Sequence, residues 1–310
     1  MSFTKGQGAE AGVGGRYAVV TGANRGIGLE IVRQLASQGI NVILTSRNTE
    51  RGIKATSDLN NSGLPNVTFH QLDVRDPISI SSFAKFIQIQ YGKLDILVNN
   101  AAASGVSVDA EALRAMNIDP ECWLSGKATN MVQWVVRQTY ELAEECLDTN
   151  YYGLKRLVEA LVPLLQLSDS GANLVNVTSL RGELKRMPNP KVRAELEDVN
   201  NLTEEKLDEM LQKFLKDLKN GELEKNGWPL MLPSYSMSKT ALNAYTRILA
   251  KKFPKMCINC VHPGFVNTKL NWNTGIIPAE EGAKGPVKVA LLPKGGPSGF
   301  YFDETEISAF

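Results

Sequence analysis

The sequence predicts an α/β protein in which helices cover both faces of one doubly wound parallel sheet. Three observations predict this fold class. Short apolar runs alternate with amphipathic stretches over most of the 310 residues, a glycine-rich loop joins the first run to the first amphipathic stretch, and no internal repeat divides the chain. Strands and helices that alternate in series give a parallel sheet. Because crossovers between parallel strands are right-handed, their helices lie on both faces of the sheet.

Apolar periodicity and turn residues place the individual elements. The predicted strands cover residues 17–21, 41–45, 67–72, 94–99, 173–178 and 257–261. The predicted helices cover residues 28–38, 49–60, 77–91 and 203–220. In the last of these helices, apolar residues recur at i, i+3, i+4, i+7, i+8 and i+11, which defines one helix face. Thr203 provides its N-cap, and Gly221 follows its last turn.

Two segments interrupt the alternation of strands and helices. One covers about residues 103–145, and the other covers about residues 182–232 and contains the helix just described. No low-complexity linker separates either segment from its surroundings. We therefore predict a single domain over residues 16–310, preceded by a loose, glycine-rich tail over residues 1–15.

Composition and charge exclude several classes of partner. The chain has 34 Lys and Arg residues against 33 Asp and Glu residues, so it has no bulk attraction for nucleic acid or an anionic membrane. No apolar run reaches the ~18 residues of a membrane span, and the N-terminus lacks the apolar region of a secretory signal. We therefore predict a cytoplasmic protein with no nucleic-acid or membrane partner.

The four cysteines are too sparse for a disulfide scaffold. Cys257 and Cys260 form a C-x-x-C pair with His262 close behind, which is one half of a metal or redox site. A zinc site needs a second pair of ligands, and the only other histidine is His70. We therefore predict that both cysteines are small buried residues of a strand, and that the protein binds no metal.

The loop after the first strand has the pattern of a dinucleotide site. Gly22, Gly26 and Gly28 give the spacing G-x-x-x-G-x-G between a predicted strand and a predicted helix. Gly22 permits the tight turn, Gly26 lets the backbone approach a pyrophosphate, and Gly28 lets the helix pack closely on the sheet. The N–H groups at the start of the helix favour a bound phosphate.

The end of the second strand indicates which nicotinamide cofactor is used. A carboxylate at that position would bind the ribose 2′-hydroxyl and repel a 2′-phosphate. The strand instead ends in Thr45, Ser46 and Arg47. Arg47 can bind a 2′-phosphate with two hydrogen bonds, Ser46 can add another, and Arg25 of the glycine loop is a second cation. The sequence therefore predicts NADPH.

Two tyrosine–lysine pairs have the spacing Y-x-x-x-K, which places both side chains on one helix face. They are Tyr151 with Lys155 and Tyr235 with Lys239. A lysine ammonium beside a phenol stabilises the phenolate and lowers the tyrosine pKa, which prepares the phenol for acid–base work. The spacing alone does not choose between the two pairs.

Motifs along nearly the whole chain resemble those of the short-chain dehydrogenase/reductase family. These motifs are TGANRGIG (21–28), LDV (72–74), DILVNNA (95–101), TNYYG (149–153), VNVTS (175–179), YSMSK (235–239) and HPGFVNT (262–268). They occur in the order in which the family has them. In that order the tyrosine follows the serine and precedes the Pro-Gly turn, so the resemblance selects Tyr235 and Lys239.

The resemblance implies a Rossmann fold and a role for each matching residue. Tyr235 would be the general acid towards a carbonyl oxygen, Ser179 would hydrogen-bond the same oxygen, Lys239 would lower the tyrosine pKa and bind the nicotinamide ribose, and Asn150 would continue a water-linked proton relay. The residues predicted to bind the cofactor are Gly22, Asn24, Arg25, Gly26, Ile27, Gly28, Ser46, Arg47, Asp73, Val74, Asn99, Ala101, Lys239, Pro263, Gly264, Val266 and Thr268.

Two positions depart from the family pattern. Ala102 stands where the family usually has glycine, which adds a methyl group beside the cofactor. Thr178 stands where many members have serine, so Ser179 is the aligned catalytic hydroxyl and Thr178 is the second choice.

Within the family, the sequence is most similar to plant reductases of the salutaridine and menthone/neomenthol type and to monomeric carbonyl reductases. The interval of 56 residues between Ser179 and Tyr235 and the ending LLPKGGPSGFYFDETEISAF indicate this group. The resemblance implies reduction of a hydrophobic ketone or aldehyde of terpenoid or alkaloid type, reversible as a secondary alcohol dehydrogenase. The alternatives are reduction of a conjugated C=C bond on the same scaffold and a non-catalytic NADP(H)-binding module.

The insertions are predicted to shape the substrate pocket. By resemblance, the helix at 203–220 would cover the surface that forms oligomers in most members and would leave a monomer; it could instead be only a lid. The candidate lining residues are Trp123, Met131, Trp134, Leu180, Met187, Trp228, Met231 and Leu232. Apolar walls of this kind suit a hydrophobic ketone better than a sugar or an acid.

Overall fold

A computed structural model describes residues 15–310. Apart from Gly15, the predicted N-terminal tail lies outside the described residues. The strands are β1 (Tyr17–Val20), β2 (Asn41–Ser46), β3 (Val67–Gln71), β4 (Ile96–Asn99), β5 (Ser107–Val108), β6 (Val136–Arg137), β7 (Asn173–Val177), β8 (Cys257–His262), β9 (Tyr301–Asp303) and β10 (Glu306–Ser308). The predicted strands all form, within two residues of their expected ends.

The helices alternate with the strands of the sheet and also fill the two insertions. They are α1 (Gly26–Ser37), α2 (Thr49–Asn61), α3 (Pro77–Tyr91), α4 (Ala110–Ala115), α5 (Pro120–Ser125), α6 (Ala128–Val132), α7 (Tyr140–Leu147), α8 (Gly153–Leu165), α9 (Pro190–Glu197), α10 (Glu204–Lys219), α11 (Pro233–Lys252) and α12 (Ala279–Ala290). A π-helical turn at Asp148–Tyr152 joins α7 to α8.

The central sheet has the order β10-β9-β8-β7-β4-β1-β2-β3 in the described part of the chain. Every neighbouring pair is parallel except β9 with β10. The chain runs from β1 outward to β3 and then returns to β4 on the other side of β1. Ligands of such sheets bind where the order reverses, outside the carboxyl ends of β1 and β4.

An antiparallel hairpin at one edge extends the predicted parallel sheet. Strands β9 and β10 have three residues each and pair through a tight turn that includes Glu304, whose φ is 53°. Three residues are too few for a visible apolar period, so this hairpin was not predictable from the sequence.

Two apolar layers cover the sheet, one on each face. On one face, Ile31 and Leu35 of α1 and Val287 of α12 pack on the inner strands. On the other face, α3, α8 and α11 bury the larger cluster, which includes Phe83 and Tyr245. Helices on both faces confirm the doubly wound architecture.

The insertion at 103–145 forms a small lobe over the carboxyl end of the sheet. Strands β5 and β6 pair antiparallel, and the short helices α4 to α6 surround a separate apolar cluster with Leu113, Trp123 and Val132. Met231, which lies two residues before α11, belongs to the same cluster. The lobe is therefore packed against the segment that leads into the predicted catalytic helix.

Helix α10 of the second insertion packs against α11 and α7. Its apolar stripe is buried, and Phe214 meets Trp228 edge-on with 5.6 Å between ring centroids. The Trp228 indole N–H donates a hydrogen bond of 2.8 Å to Asp217. Lys155 of α8 forms ion pairs with Glu204 and Asp208, so this lysine fixes α10 to the domain.

Candidate active site

A cleft of about 680 Å³ opens at the carboxyl ends of β1 and β4, where the strand order reverses. Most of the predicted cofactor residues line it. They are Gly22, Asn24, Arg25, Gly26, Ile27, Gly28, Arg47, Asp73, Val74, Ala101 and Thr268. Sequence reasoning did not include further lining residues, namely Arg75, Asn100, Ala103 and Ser104. The structure therefore brings motifs from both halves of the chain to one cleft.

The glycine loop has the conformation that its three glycines allow. Gly22 and Gly26 lie in the left-handed region, with φ of 61° and 58°. A Cβ atom on Gly22 would lie 2.9 Å from the Ala101 backbone, and one on Gly28 would lie 2.4 Å from the Asn100 side chain. The loop is therefore pressed against the segment that follows β4.

The start of α1 is open towards the cleft. Arg25 is its N-cap residue, and no side chain of the described residues accepts a hydrogen bond from the first turn at that cap. The unpaired N–H groups and the helix dipole favour an anion there. With Arg25 and Arg47 in the same cleft, the donor set fits the phosphates of a dinucleotide.

Six predicted cofactor residues do not line the cleft, namely Ser46, Asn99, Lys239, Pro263, Gly264 and Val266. The Ser46 side chain is buried, and its hydroxyl donates a 2.6 Å hydrogen bond to the Asn48 carbonyl; its expected role on the phosphate stays a prediction. Asn99 is also buried, and its amide donates to Asn176. The neighbouring Asn100 bonds the backbone of Thr21 and so connects the two loops of the cleft.

A second, smaller pocket of about 130 Å³ adjoins the cleft and shares Ile27, Ser104, Thr268, Leu270 and Trp272 with it. Ser179 and Tyr235 both line this pocket, as do the predicted residues Pro263, Gly264 and Val266. Gly264 has φ of 86°, and a Cβ atom there would lie 2.6 Å from Ile277. The predicted catalytic hydroxyls therefore face a chamber at one end of the cleft.

Burial raises the pKa of the Tyr235 phenol to about 12, while the nearby Ser179 hydroxyl and Arg181 guanidinium act in the opposite direction. Lys239 lies one helical turn along α11, with its ammonium 5.6 Å from the centre of the Tyr235 ring. Lys239 is 3% exposed, and its Nζ donates a hydrogen bond of 2.8 Å to the Val177 carbonyl. Burial lowers the pKa of Lys239 to about 8.

Asn150 occupies the π-helical turn between α7 and α8. Its side-chain oxygen accepts a 2.8 Å hydrogen bond from the Ala103 N–H, and its amide donates to the Ala103 carbonyl and to Ser238. Asn150 therefore fixes the segment after β4 to α11. Its bond to Ser238, which precedes Lys239, is direct; the predicted water-linked relay stays a prediction.

The structure separates the alternatives that spacing left open. Tyr151 is fully buried in the core, and Lys155 pairs with α10, so this pair lies away from both pockets. Thr178 also lines the small pocket, but its hydroxyl donates a 2.6 Å hydrogen bond to Asn243. Ser179, by contrast, has its side chain at the start of the turn Leu180–Gly182 and beside Tyr235.

The predicted substrate-lining residues divide into two groups. Trp123, Leu180, Met231 and Leu232 line the small pocket. Met187 and Trp228 are instead buried in the main core, and Met131 and Trp134 lie on the surface, where Trp134 is 78% exposed. Helical spacing in a segment of short helices did not show which side each residue faces.

Sequence reasoning missed Arg181, Phe265 and Trp272 in this pocket, and also placed His262 only beside a possible metal site.

Cys257 and Cys260 lie in β8 with free, buried thiols, as the strand interpretation predicted. No group of three His, Cys, Asp or Glu residues within 15–310 is arranged to hold a metal ion. The same residues contain no helix long and apolar enough to cross a membrane.

His262 gives the folded protein a predictable sensitivity to acid. Its side chain is buried, and burial, together with Arg186 and Arg181, lowers its pKa to about 3. Between that value and the ordinary 6.5 of an unfolded chain, the unfolded state binds more protons, so stability falls as the pH drops below 6.5. From pH 8 to pH 5 this residue alone should cost about 2 kcal/mol of unfolding free energy.

Urea unfolding at pH 8 and pH 5 measures this effect. His262→Asn is expected to remove that part of the pH dependence, so its unfolding free energy should fall less than that of the wild type between the two pH values. An equal fall in the two proteins would contradict the assignment.

Comparisons with known proteins agree with this geometry. A family model described as short chain dehydrogenase matches residues 16–192. Salutaridine reductase of Papaver bracteatum is 51% identical over 300 residues, covering 95% of this chain and 96% of that protein. The (+)-neomenthol dehydrogenase of Arabidopsis thaliana is 49% identical, covering 95% and 98%. The solved structure of salutaridine reductase from Papaver somniferum superposes with a TM-score of 0.87 at 49% identity, covering 93% and 99%.

Proposed function

The chain belongs to the short-chain dehydrogenase family and is an oxidoreductase, and we propose that it uses NADPH to reduce the carbonyl group of a hydrophobic ketone or aldehyde. The reaction would be reversible, as a secondary alcohol dehydrogenase. One observation carries the proposal: Ser179 and Tyr235 line an apolar chamber that adjoins the dinucleotide cleft, with the Lys239 ammonium beside the tyrosine ring.

The residues of this chamber suit proton donation to a carbonyl oxygen. With a pKa of about 12, Tyr235 keeps its proton at neutral pH and can act as general acid. Ser179 donates a second hydrogen bond to the same oxygen and stabilises the negative charge that develops there. The charged Lys239 stabilises the phenolate left behind, and Asn150 holds the segment at Ala103 against the catalytic helix. NADPH, when bound, supplies the hydride.

The choice of NADPH rests on the phosphate end of the cleft. Arg25 and Arg47 line it, and β2 ends without a carboxylate. Arg47→Asp is expected to reverse this preference, because a carboxylate accepts from a ribose hydroxyl and repels a 2′-phosphate.

Steady-state kinetics with NADPH and NADH measure the preference. The ratio of kcat/KM for NADPH to that for NADH should fall by about 10²-fold or more in Arg47→Asp, as expected for the loss of a charged, two-pronged contact. Arg114→Asp makes the same charge change on the exposed face of α4 and should leave the ratio unchanged. A ratio that changes equally in both variants would refute the role of Arg47.

We infer the substrate class from the chamber walls and from the relatives. Trp123, Met231, Leu232, Phe265 and Trp272 supply apolar surface. Salutaridine and neomenthol appear in the names of the relatives, which supports a terpenoid or alkaloid ketone. NADPH oxidation should be measured against hydrophobic ketones, aldehydes and enones with identification of the products. Alcohol products support the proposal, saturated ketones from enones support C=C reduction, and cofactor binding without turnover supports a sensing module.

We further propose a cytoplasmic monomer. Helix α10 covers parts of α11 and α7 with a buried apolar stripe, which occupies a surface that would otherwise be available to a second copy. The four cysteines of the described residues are free, which suits a reducing compartment such as the cytoplasm. Light scattering on the purified protein should give a mass near 33.9 kDa; twice that mass would overturn the monomer.

A further inference from the structure

One cation lies in the wall of the apolar chamber. Arg181 lies two residues after Ser179, in the turn Leu180–Gly182. Its backbone N–H donates a hydrogen bond of 3.2 Å to the Ser179 hydroxyl. Its side chain is partly buried and lines the chamber together with Tyr235. The sequence predicted apolar walls here, so this guanidinium was not expected.

Arg181 has no carboxylate partner among the residues that the structure describes. No aspartate or glutamate lines the chamber. The nearest acidic residue in the chain, Glu183, already pairs with Lys185 and Arg186. Burial and the repulsion of Arg186 lower the pKa of Arg181 to about 10 against the smaller attraction of Tyr235 and Glu183, and the side chain stays charged at neutral pH. A partly desolvated charge without a carboxylate in direct contact is unfavourable, and an anion in the chamber would provide that contact.

The contact that Arg181 makes with protein leaves most of its donors available. Its Nη2 donates a hydrogen bond to the Trp123 carbonyl in α5. This bond connects the lobe of residues 103–145 to the turn Leu180–Gly182, which we call the catalytic turn. A guanidinium has five N–H donors in a fixed fork, and a single carbonyl satisfies only one of them. A purely structural tie across an apolar chamber would not require a charge.

We propose that Arg181 binds an anionic oxygen of the substrate, so that the preferred substrates are apolar ketones that also bear a carboxylate. This inference rests on the proposed carbonyl reductase function and narrows its substrate class. The chamber holds only about 130 Å³, so a carboxylate on Arg181 and a carbonyl between Ser179 and Tyr235 would belong to one molecule. A planar, two-pronged contact would also fix which face of the ketone is presented for reduction.

The first test is a binding measurement that does not depend on turnover. Calorimetric titration of the enzyme saturated with NADP⁺ compares 4-phenylbutanoate with the neutral 4-phenylbutanamide. The carboxylate should bind at least tenfold more tightly than the amide, as expected for a hydrogen-bonded charge pair away from bulk water. Equal binding of the two compounds would overturn the proposal.

The second test is kinetic and uses matched variants. Arg181→Met removes the charge and keeps the length of the side chain, whereas Lys185→Met removes a charge from a side chain that is 70% exposed and outside the chamber. The substrates are phenyl-substituted 2-, 4- and 5-oxo acids and their methyl esters. Arg181→Met should lower kcat/KM for the best oxo acid by about 10- to 100-fold and change that of its ester by less than threefold. Lys185→Met should change neither.

The outcomes separate this inference from the proposed function. If the wild type reduces the esters but does not favour the acids, only the role of Arg181 fails. If no ketone of either kind is reduced while 4-phenylbutanoate binds through Arg181, the reductase function fails and the anion site stands. An equal loss on acids and esters in Arg181→Met would show that the arginine only ties the lobe to the catalytic turn. Thermal unfolding of each variant identifies misfolding. If Arg181→Met misfolds, the calorimetric comparison of 4-phenylbutanoate with its amide on the wild type tests the proposal.

Discussion

Replacing Tyr235 with phenylalanine is expected to lower kcat for ketone reduction by about 10²- to 10⁴-fold, the usual contribution of a positioned general acid. The phenol lines the chamber beside Ser179 and carries its proton at neutral pH, because burial raises its pKa to about 12. The substitution removes the proton donor and leaves the ring in place. Cofactor affinity, measured by quenching of protein fluorescence with NADPH, should change by less than threefold.

The chain contains its own control for this experiment. Tyr151 begins the other Y-x-x-x-K pair but is buried in the core beside Tyr245, 5.8 Å away between ring centroids. Tyr151→Phe should therefore leave kcat unchanged within twofold. If Tyr235→Phe retains full activity and yields saturated ketones from enones, then the enzyme reduces C=C bonds and the assigned role of Tyr235 is wrong.

Lys239→Met should also reduce turnover strongly, by about 10²-fold or more, since it removes the cation that stabilises the phenolate. In the wild type, the Lys239 pKa of about 8 also predicts how the rate depends on pH. The ammonium is charged below pH 8 and is lost as the pH rises through that value. The wild-type reduction rate is therefore expected to decline above about pH 8, and the residual rate of Lys239→Met should show no such decline.

Stability distinguishes a catalytic from a structural loss in this variant. Lys239 is a buried charge whose Nζ contact within the described residues is the Val177 carbonyl. Replacing an uncompensated buried charge with an apolar side chain of similar length is often neutral or stabilising. The Tm of Lys239→Met without cofactor should therefore equal or exceed that of the wild type. A lower Tm would show that the lysine supports the fold and that the loss of activity is indirect.

The parts of the site that local sequence determines were predictable. The glycine loop is one case, because a left-handed φ and a close backbone contact can be assigned from residue type and context alone. The separation of Tyr235 and Lys239 is another, because four residues within one helix fix it. The choice of this pair over Tyr151 and Lys155 came from the family resemblance. The apolar stripe of α10 also predicted its buried face, since a helix of 16 residues shows its period clearly.

Features that depend on the packing of short elements were not predictable. Trp123 and Trp134 lie in one polar insertion, yet one lines the chamber and the other is on the surface. Helices of five or six residues have too few turns to show a period. The Ser46 hydroxyl donates a hydrogen bond to the backbone carbonyl of Asn48, two residues later. The apolar pattern of a strand does not show such a local hydrogen bond. Arg181 enters the chamber only because a tight turn follows Ser179.

The wall shared by the cleft and the chamber has a kinetic consequence. Thr268, Leu270 and Trp272 border both spaces, and all three belong to one short segment after β8. A ketone that enters the free enzyme meets a chamber open on the side of the cleft, whereas a bound dinucleotide closes that side. Binding should then follow a compulsory order, with the cofactor first to arrive and last to depart. Release of the spent cofactor would then be the last step of each cycle.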